Sequence, residues 1–323
     1  MPESEFWSKL IANDKIKCKN YINKKLSSKN LVSIFNDLIC FSVLARKRSN
    51  SIYHPVIIIN IIKNLIGDDK EQPSKILINF FIDFILDHKI RENDDYLLNQ
   101  VLKNGIGVTA FAGDLEDIYQ KGDWIEAKKI AAKFFLISDK TRATMDILCE
   151  MALQDIPKNG LFVFHLLRAY EFQKMVKKNW DFTRCLMLEI SKNKLPKPHK
   201  FSDKTPKNIG KKSFLNIDLA LYSAMTRIWN GDYVRLKGYQ REISHWINNH
   251  NQDNVISNRL KLADWLFKVE GDKYIRFAEK IILDKSNHET EKLKQLVLID
   301  SVRAILKYED AKKIELLKMR LSK

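Results

Sequence analysis

Apolar positions recur along nearly the whole chain at the three-and-four spacing of amphipathic helices. Period-two alternation around an Asn-Gly turn, the mark of a hairpin of half-buried strands, is absent. The run LFVFHLLRAYEFQ is apolar around most of its helical circumference, which predicts a central helix. Helix starts are marked by Ser4 before EFWSKLI, Pro73-Ser74 before KILINFFIDFIL, Asn93-Asp94 before DYLLNQVL, and Ser138 before TRATMDILCEMAL. Each places a capping side chain, or a proline, where the first turn leaves N–H groups unbonded. His54, just before Pro55, suits the same role. The expectation is an all-α fold of stacked antiparallel helical hairpins, with about fourteen to seventeen helices joined by short loops.

A recurring punctuation mark suggests how those helices are grouped. Gly122-Asp123-Trp124 and Gly231-Asp232-Tyr233 are 109 residues apart, Gly67-Asp68 and Asn179-Trp180 are 112 apart, and His54 and His165 are 111 apart. Glycine supplies a left-handed helix end and the following Asp caps the next helix. The three spacings predict an internal duplication of a unit of about 110 residues. On that basis the chain divides into an N-terminal helical cap at 1–45, a first helical half at 46–155, a second at 156–262 and a C-terminal helical tail at 263–323. Gly271-Asp272 repeats the mark after only 40 residues, so no regular short-period solenoid is implied. The turn Gly122-Asp123-Trp124, with Ala127 and Ala131 behind it, resembles helical-hairpin repeats such as tetratricopeptide modules over about 30 residues. What that resemblance implies is a local helix–turn–helix.

Charge alters the picture in one place. Lys plus Arg number 56 against 40 Asp plus Glu, a net charge of +16, and the basic residues are 43 Lys and 13 Arg. Phosphate attraction follows from such an excess, but bidentate and base-edge recognition favours Arg, so the lysine bias argues against sequence-specific nucleic-acid readout. Residues 191–212, SKNKLPKPHKFSDKTPKNIGKK, hold eight Lys, one Asp and three of the seven prolines. This loop, peripheral or mobile unless a partner orders it, is the expected contact for an acidic protein, nucleic acid or anionic surface. The six tryptophans are expected to pack at helix corners rather than stack bases, since Trp124, Trp180 and Trp229 flank the turns.

The four cysteines have no zinc-ligand spacing, and buried reduced thiols in a cytoplasmic protein are the expectation. The N-terminus lacks the apolar core of a secretory signal, and Val56 to Ile66, interrupted by Asn60, Lys63 and Asn64, is too short and polar to span a bilayer. No nucleophile elbow, phosphate-binding loop or HExxH is present, and Gly105-Ile-Gly107 follows no strand. Glu242-Ile-Ser-His245 has the E-x-x-H spacing of helical di-iron bundles, but those need two such motifs. Arg142, Asp146 and Glu150 form an i, i+4 ladder expected on a solvated face.

Two function classes follow. The first is a soluble helical interaction protein engaging an acidic partner or ligand. The second is an enzyme whose site lies between the halves, built on His54, His165, Arg168 and Glu171, for small-ligand or metal-dependent oxidoreductase-type chemistry. In it Arg168 and Glu171, charged groups on a greasy helix, satisfy each other or a ligand. No cofactor is specified by any motif, and no metal ligand set is present.

Overall fold

The computed structural model describes residues 4–106, 111–173, 175–249 and 272–321. The fold is all-α. Its first helices are α1 (Glu5–Ile11), α2 (Lys15–Lys25), α3 (Leu31–Leu44), α4 (Pro55–Ile66), α5 (Lys75–Leu86), α6 (Tyr96–Lys103), α7 (Ala112–Lys121) and α8 (Trp124–Ile137). There follow α9 (Ala143–Ala152), α10 (Ile156–Gln173), α11 (Asn179–Ile190), α12 (Lys211–Asn216), α13 (Leu219–Trp229) and α14 (Leu236–Asn249). Helices α15 (Asp272–Leu283), α16 (Glu289–Tyr308) and α17 (Ala311–Leu321) complete the described chain. The strands among the described residues are the two-residue β1 (Ala45–Arg46) and β2 (Lys89–Ile90), paired antiparallel with Ala45 opposite Ile90. No described helix is long and apolar enough to cross a membrane.

Several ends form as the cap residues dictate. Ser4 accepts the Trp7 N–H at 2.9 Å and Ser74 that of Leu77 at 3.2 Å. At the start of α4 the imidazole of His54 is itself the cap, its Nδ1 accepting the Val56 N–H at 3.2 Å. Two expected starts differ. Ser138 closes α8 rather than opening α9, because Asp139 and Lys140 both turn left-handed there. Helix α6 begins at Tyr96, and the Asp94 carboxylate, instead of capping it, takes the Arg91 guanidinium at 2.7 Å.

The described residues fall into two compact units, one within Met1–Ile90, Lys211–Ser223 and Gln252–Lys323, the other within Arg91–Gly210 and Ala224–Asn251. In the first unit α4 packs on α3, α5 and α16, and α5 also packs on α2 and α15. Ile58, Ile61, Leu65, Phe81 and Ile85 are completely buried there. In the second unit α9 is central, touching α7, α8, α10, α11 and α14, while α6 lies against α8. This division cuts across the sequence halves 46–155 and 156–262, because apolar faces of α15 and α16 are buried against helices of the N-terminal ninety residues.

The punctuation marks do not share one geometry. Gly122 is left-handed, with φ 79°, and Asp123 caps α8 through the Glu126 N–H at 3.1 Å. Gly67 is right-handed, with φ −60°. Gly231 is not left-handed either; the Tyr233 ring folds over it, so closely that a methyl group there would collide with the ring, and α14 begins only at Leu236. His54 caps its helix whereas His165 lies mid-way along the 18-residue α10. Equivalent spacing in sequence therefore does not give equivalent position in the helices. Gly271 lies outside the described residues, as does Gly107.

Candidate anion-binding cavity

Of the residues nominated for a site between halves, His54 belongs to the first unit and His165, Arg168 and Glu171 to the second. Both ring nitrogens of His54 have partners in its own unit, since Nε2 lies 3.2 Å from the Ala45 carbonyl. With Nδ1 accepting, Nε2 carries the proton and donates it to that carbonyl. His165 is buried, its ring edge-on to Phe164. Arg168 is exposed, and Glu171 pairs with Arg142 instead. A distal arginine, 29 residues away, reaches this carboxylate because α9 and α10 pack together.

The ladder expected on a solvated face is where the structure departs most from the sequence pattern. Asp146 and Glu150 are 3% and 7% exposed. Asp146 receives both Nε and Nη2 of Arg142, at 3.0 and 2.8 Å. Burial raises the Asp146 carboxyl above the usual range, and the Arg142 contact opposes that rise. Glu150 turns the other way, toward α14. Arg235 Nε donates to one of its oxygens and Arg241 Nη2 to the other, the second at 3.0 Å. Arg235 also reaches Glu116 at 2.8 Å. Burial lowers the Arg235 guanidinium, but Glu150 and Glu116 outweigh that and raise it, so it is fully charged.

Helix α14 is shaped for this. Arg235, Gly238 and Arg241 follow one another at one-turn spacing. Gly238 faces the Glu150 carboxylate so closely that a methyl group there would overlap it. The missing side chain of Gly238, in the first turn of α14, opens a seat for a carboxylate between two guanidiniums. A glycine flanked three residues away on each side by arginine is the signal that sequence reasoning passed over.

The next turn of α14 fastens the Lys-rich loop. Glu242, 1% exposed, accepts Arg241 Nε at 2.9 Å and His199 Nδ1 at 2.6 Å. The His199 ring stacks on His245 with centroids 3.7 Å apart. Burial, reinforced by His199, lowers the His245 imidazolium, and Glu242 opposes the shift. Ser202 N–H donates to Ser244 at 3.0 Å, and Leu195 and Pro206 are buried. The loop is thus held by its own chain, not left waiting for a partner. The reason is that E-x-x-H on α14 offers a buried acceptor to an imidazole 43 residues upstream. The motif is used for anchoring, and no cluster of metal-ligating groups occurs among the described residues.

What the anchored loop completes is a cavity of about 570 Å³ in the second unit. Five cations line it: Lys121 at the end of α7, Lys194 and Lys197 from the loop, Arg235 just before α14 and Arg241 within it. Three carboxylates, Glu116, Asp117 and Glu150, also face it. Met151, Leu195 and Pro198 give it an aliphatic wall. Lys121, Lys194 and Lys197 are exposed. A concavity of this size with convergent charged groups has the form of a small-ligand site.

The cysteine thiols are held in their unreactive, protonated form. All four cysteines are free and buried, and burial pushes Cys18 up to about 11 and Cys185 up to about 12. No protein-family model, no curated protein and no solved structure matches the chain.

Proposed function

We propose that the protein is a non-catalytic helical binding protein that takes an acidic ligand, or an acidic group of a partner, in the cavity of the second unit. The observation that carries the reading is the convergence of five cations from three separate segments on one concavity. Five cations against three carboxylates leave a net positive concavity beside an aliphatic wall, which focuses attraction for an anion. The loop 191–212 enters this reading as one side of the cavity through Lys194 and Lys197, while its remaining lysines add long-range attraction.

Titration of the full chain with inorganic pyrophosphate at low and high salt tests it. Binding should weaken steeply as salt rises, because exposed charges are screened. Reversing Lys194 and Lys197 together to Glu should weaken it by at least about tenfold, since like charges then face the ligand. A response that ignores both salt and the double reversal removes the cavity as the contact.

A further inference from the structure

The most buried charged group lining the cavity is an anion that the chain supplies itself. The Glu150 carboxylate sits between Arg235 and Arg241, one oxygen to each, against the bare backbone of Gly238. The two guanidiniums are therefore already spaced to hold a pair of oxygens on one centre, and they are already occupied. A carboxylate tethered in place acts at an effective concentration far above that of a free one. A free monocarboxylate offers these arginines nothing that Glu150 does not. A group with a second negative charge does, because Lys121, Lys194 and Lys197 add attraction that Glu150 leaves unused. No lining residue is aromatic, so the cavity has no face on which a nucleobase stacks, whereas Met151, Leu195 and Pro198 suit an aliphatic body.

Resting on the anion reading above, we propose that the cavity binds the phosphate dianion of a small non-aromatic molecule, and that Glu150 is a built-in competitor which the phosphate displaces from between Arg235 and Arg241. Glu150 then sets both the threshold affinity and the preference for dianions over monocarboxylates. Phosphate monoesters lose their second charge near pH 6, so binding should fall below that pH.

The test is calorimetric titration of the full chain with inorganic phosphate, glycerol 3-phosphate and acetate. Wild type is compared with Glu150→Gln, Gly238→Ala and Asp117→Asn, and circular dichroism checks that each variant is folded. Both phosphates should bind wild type, and acetate should not. Glu150→Gln should bind phosphate at least about tenfold tighter, since the occupant loses its charge while keeping its shape. Gly238→Ala leaves the net charge unchanged but puts a methyl where the phosphate would sit between Arg235 and Arg241, so it should bind phosphate several-fold more weakly. Asp117→Asn removes the same charge from the same cavity and should gain less than about threefold, because Asp117 is exposed. Equal gains in Asp117→Asn and Glu150→Gln, or no gain in Glu150→Gln, would overturn the competitor while leaving the anion cavity standing, and a gain in Gly238→Ala would overturn the seat between the arginines. Acetate binding as well as phosphate overturns the dianion preference, and inorganic phosphate without the ester overturns the small-molecule ligand. Failure of wild type and Glu150→Gln alike to bind any phosphate sinks both this proposal and the anion reading.

Discussion

The two units bury different things at their centres. In the first, α4 and α5 contribute an almost unbroken set of Ile, Leu and Phe, and the buried charges lie elsewhere, Asp300 on α16 beside Arg303 and Lys313 on α17 with Glu309. In the second, the central α9 carries Asp146 and Glu150, Glu150 meets Arg235 just before α14 and Arg241 on it, and Glu242 of α14 is buried beside Arg241. Apolar burial stabilises by roughly 25 cal/mol per Å² with no demand on direction. Buried ion pairs must recover the cost of dehydrating both partners and often do no better than hydrophobic residues of the same size. A fold seeking only stability has little reason to build the second kind of centre. The contrast is a physical reason to look for binding in the second unit and for rigidity in the first.

The comparison breaks most severely if the apolar centre is emptied. Phe81→Ala in the first unit should cost about 3–5 kcal/mol in urea unfolding, the usual range for deleting a fully buried aromatic ring. A loss below about 1 kcal/mol would mean that this centre is not the rigid one.

Glu242→Ala in the second unit should cost less, about 2–3 kcal/mol, by leaving Arg241 and His199 without their buried acceptor. Its more telling effect is local. The loop between α11 and α12 loses its main fastening, and trypsin should cut at its exposed lysines faster than in the wild type. Unchanged proteolysis would show that Leu195, Pro206 and Ser202 suffice to hold it.

The smallest effect separates the units by pH. In the first unit burial lowers the His88 imidazolium, the Phe84 carbonyl opposes this through its 2.8 Å bond to Nδ1, and Arg48 lowers it further. A folded state that binds the proton more weakly than the unfolded chain loses stability as pH falls below the ordinary histidine value of about 6.5. His88→Gln keeps a hydrogen-bond donor and should flatten part of the stability loss between about pH 6.5 and 5. An identical slope in the variant would assign the acid sensitivity to other groups, His245 in the second unit among them.

How far the sequence was legible follows the same line between the units. The caps at Ser4, His54 and Ser74 and the apolar helices α4 and α5 were readable, because each depends on residues within a few positions of one another. Ser138 misled, since a serine after a helix closes it as readily as one before a helix opens it. The ladder Arg142, Asp146, Glu150 looked solvated because its local pattern is the same on an exposed face. What buries it is Arg235 and Arg241, 85 and 91 residues further on. Equal spacing of Gly-Asp marks suggested equivalent turns, but Gly122 is left-handed and Gly231, under the Tyr233 ring, is not.

By itself the sequence determined that the chain is helical, where many of the helices begin, and which of them are too apolar for any surface. Those properties come from periodicity and caps, which act over one or two turns. Tertiary structure alone decided which carboxylates would be buried, that α14 would carry a glycine seat between two arginines, and that His199 would fasten a lysine-rich loop beside a cavity. A charged side chain's surroundings are set by whichever element packs against it, and no local pattern encodes a partner ninety residues away.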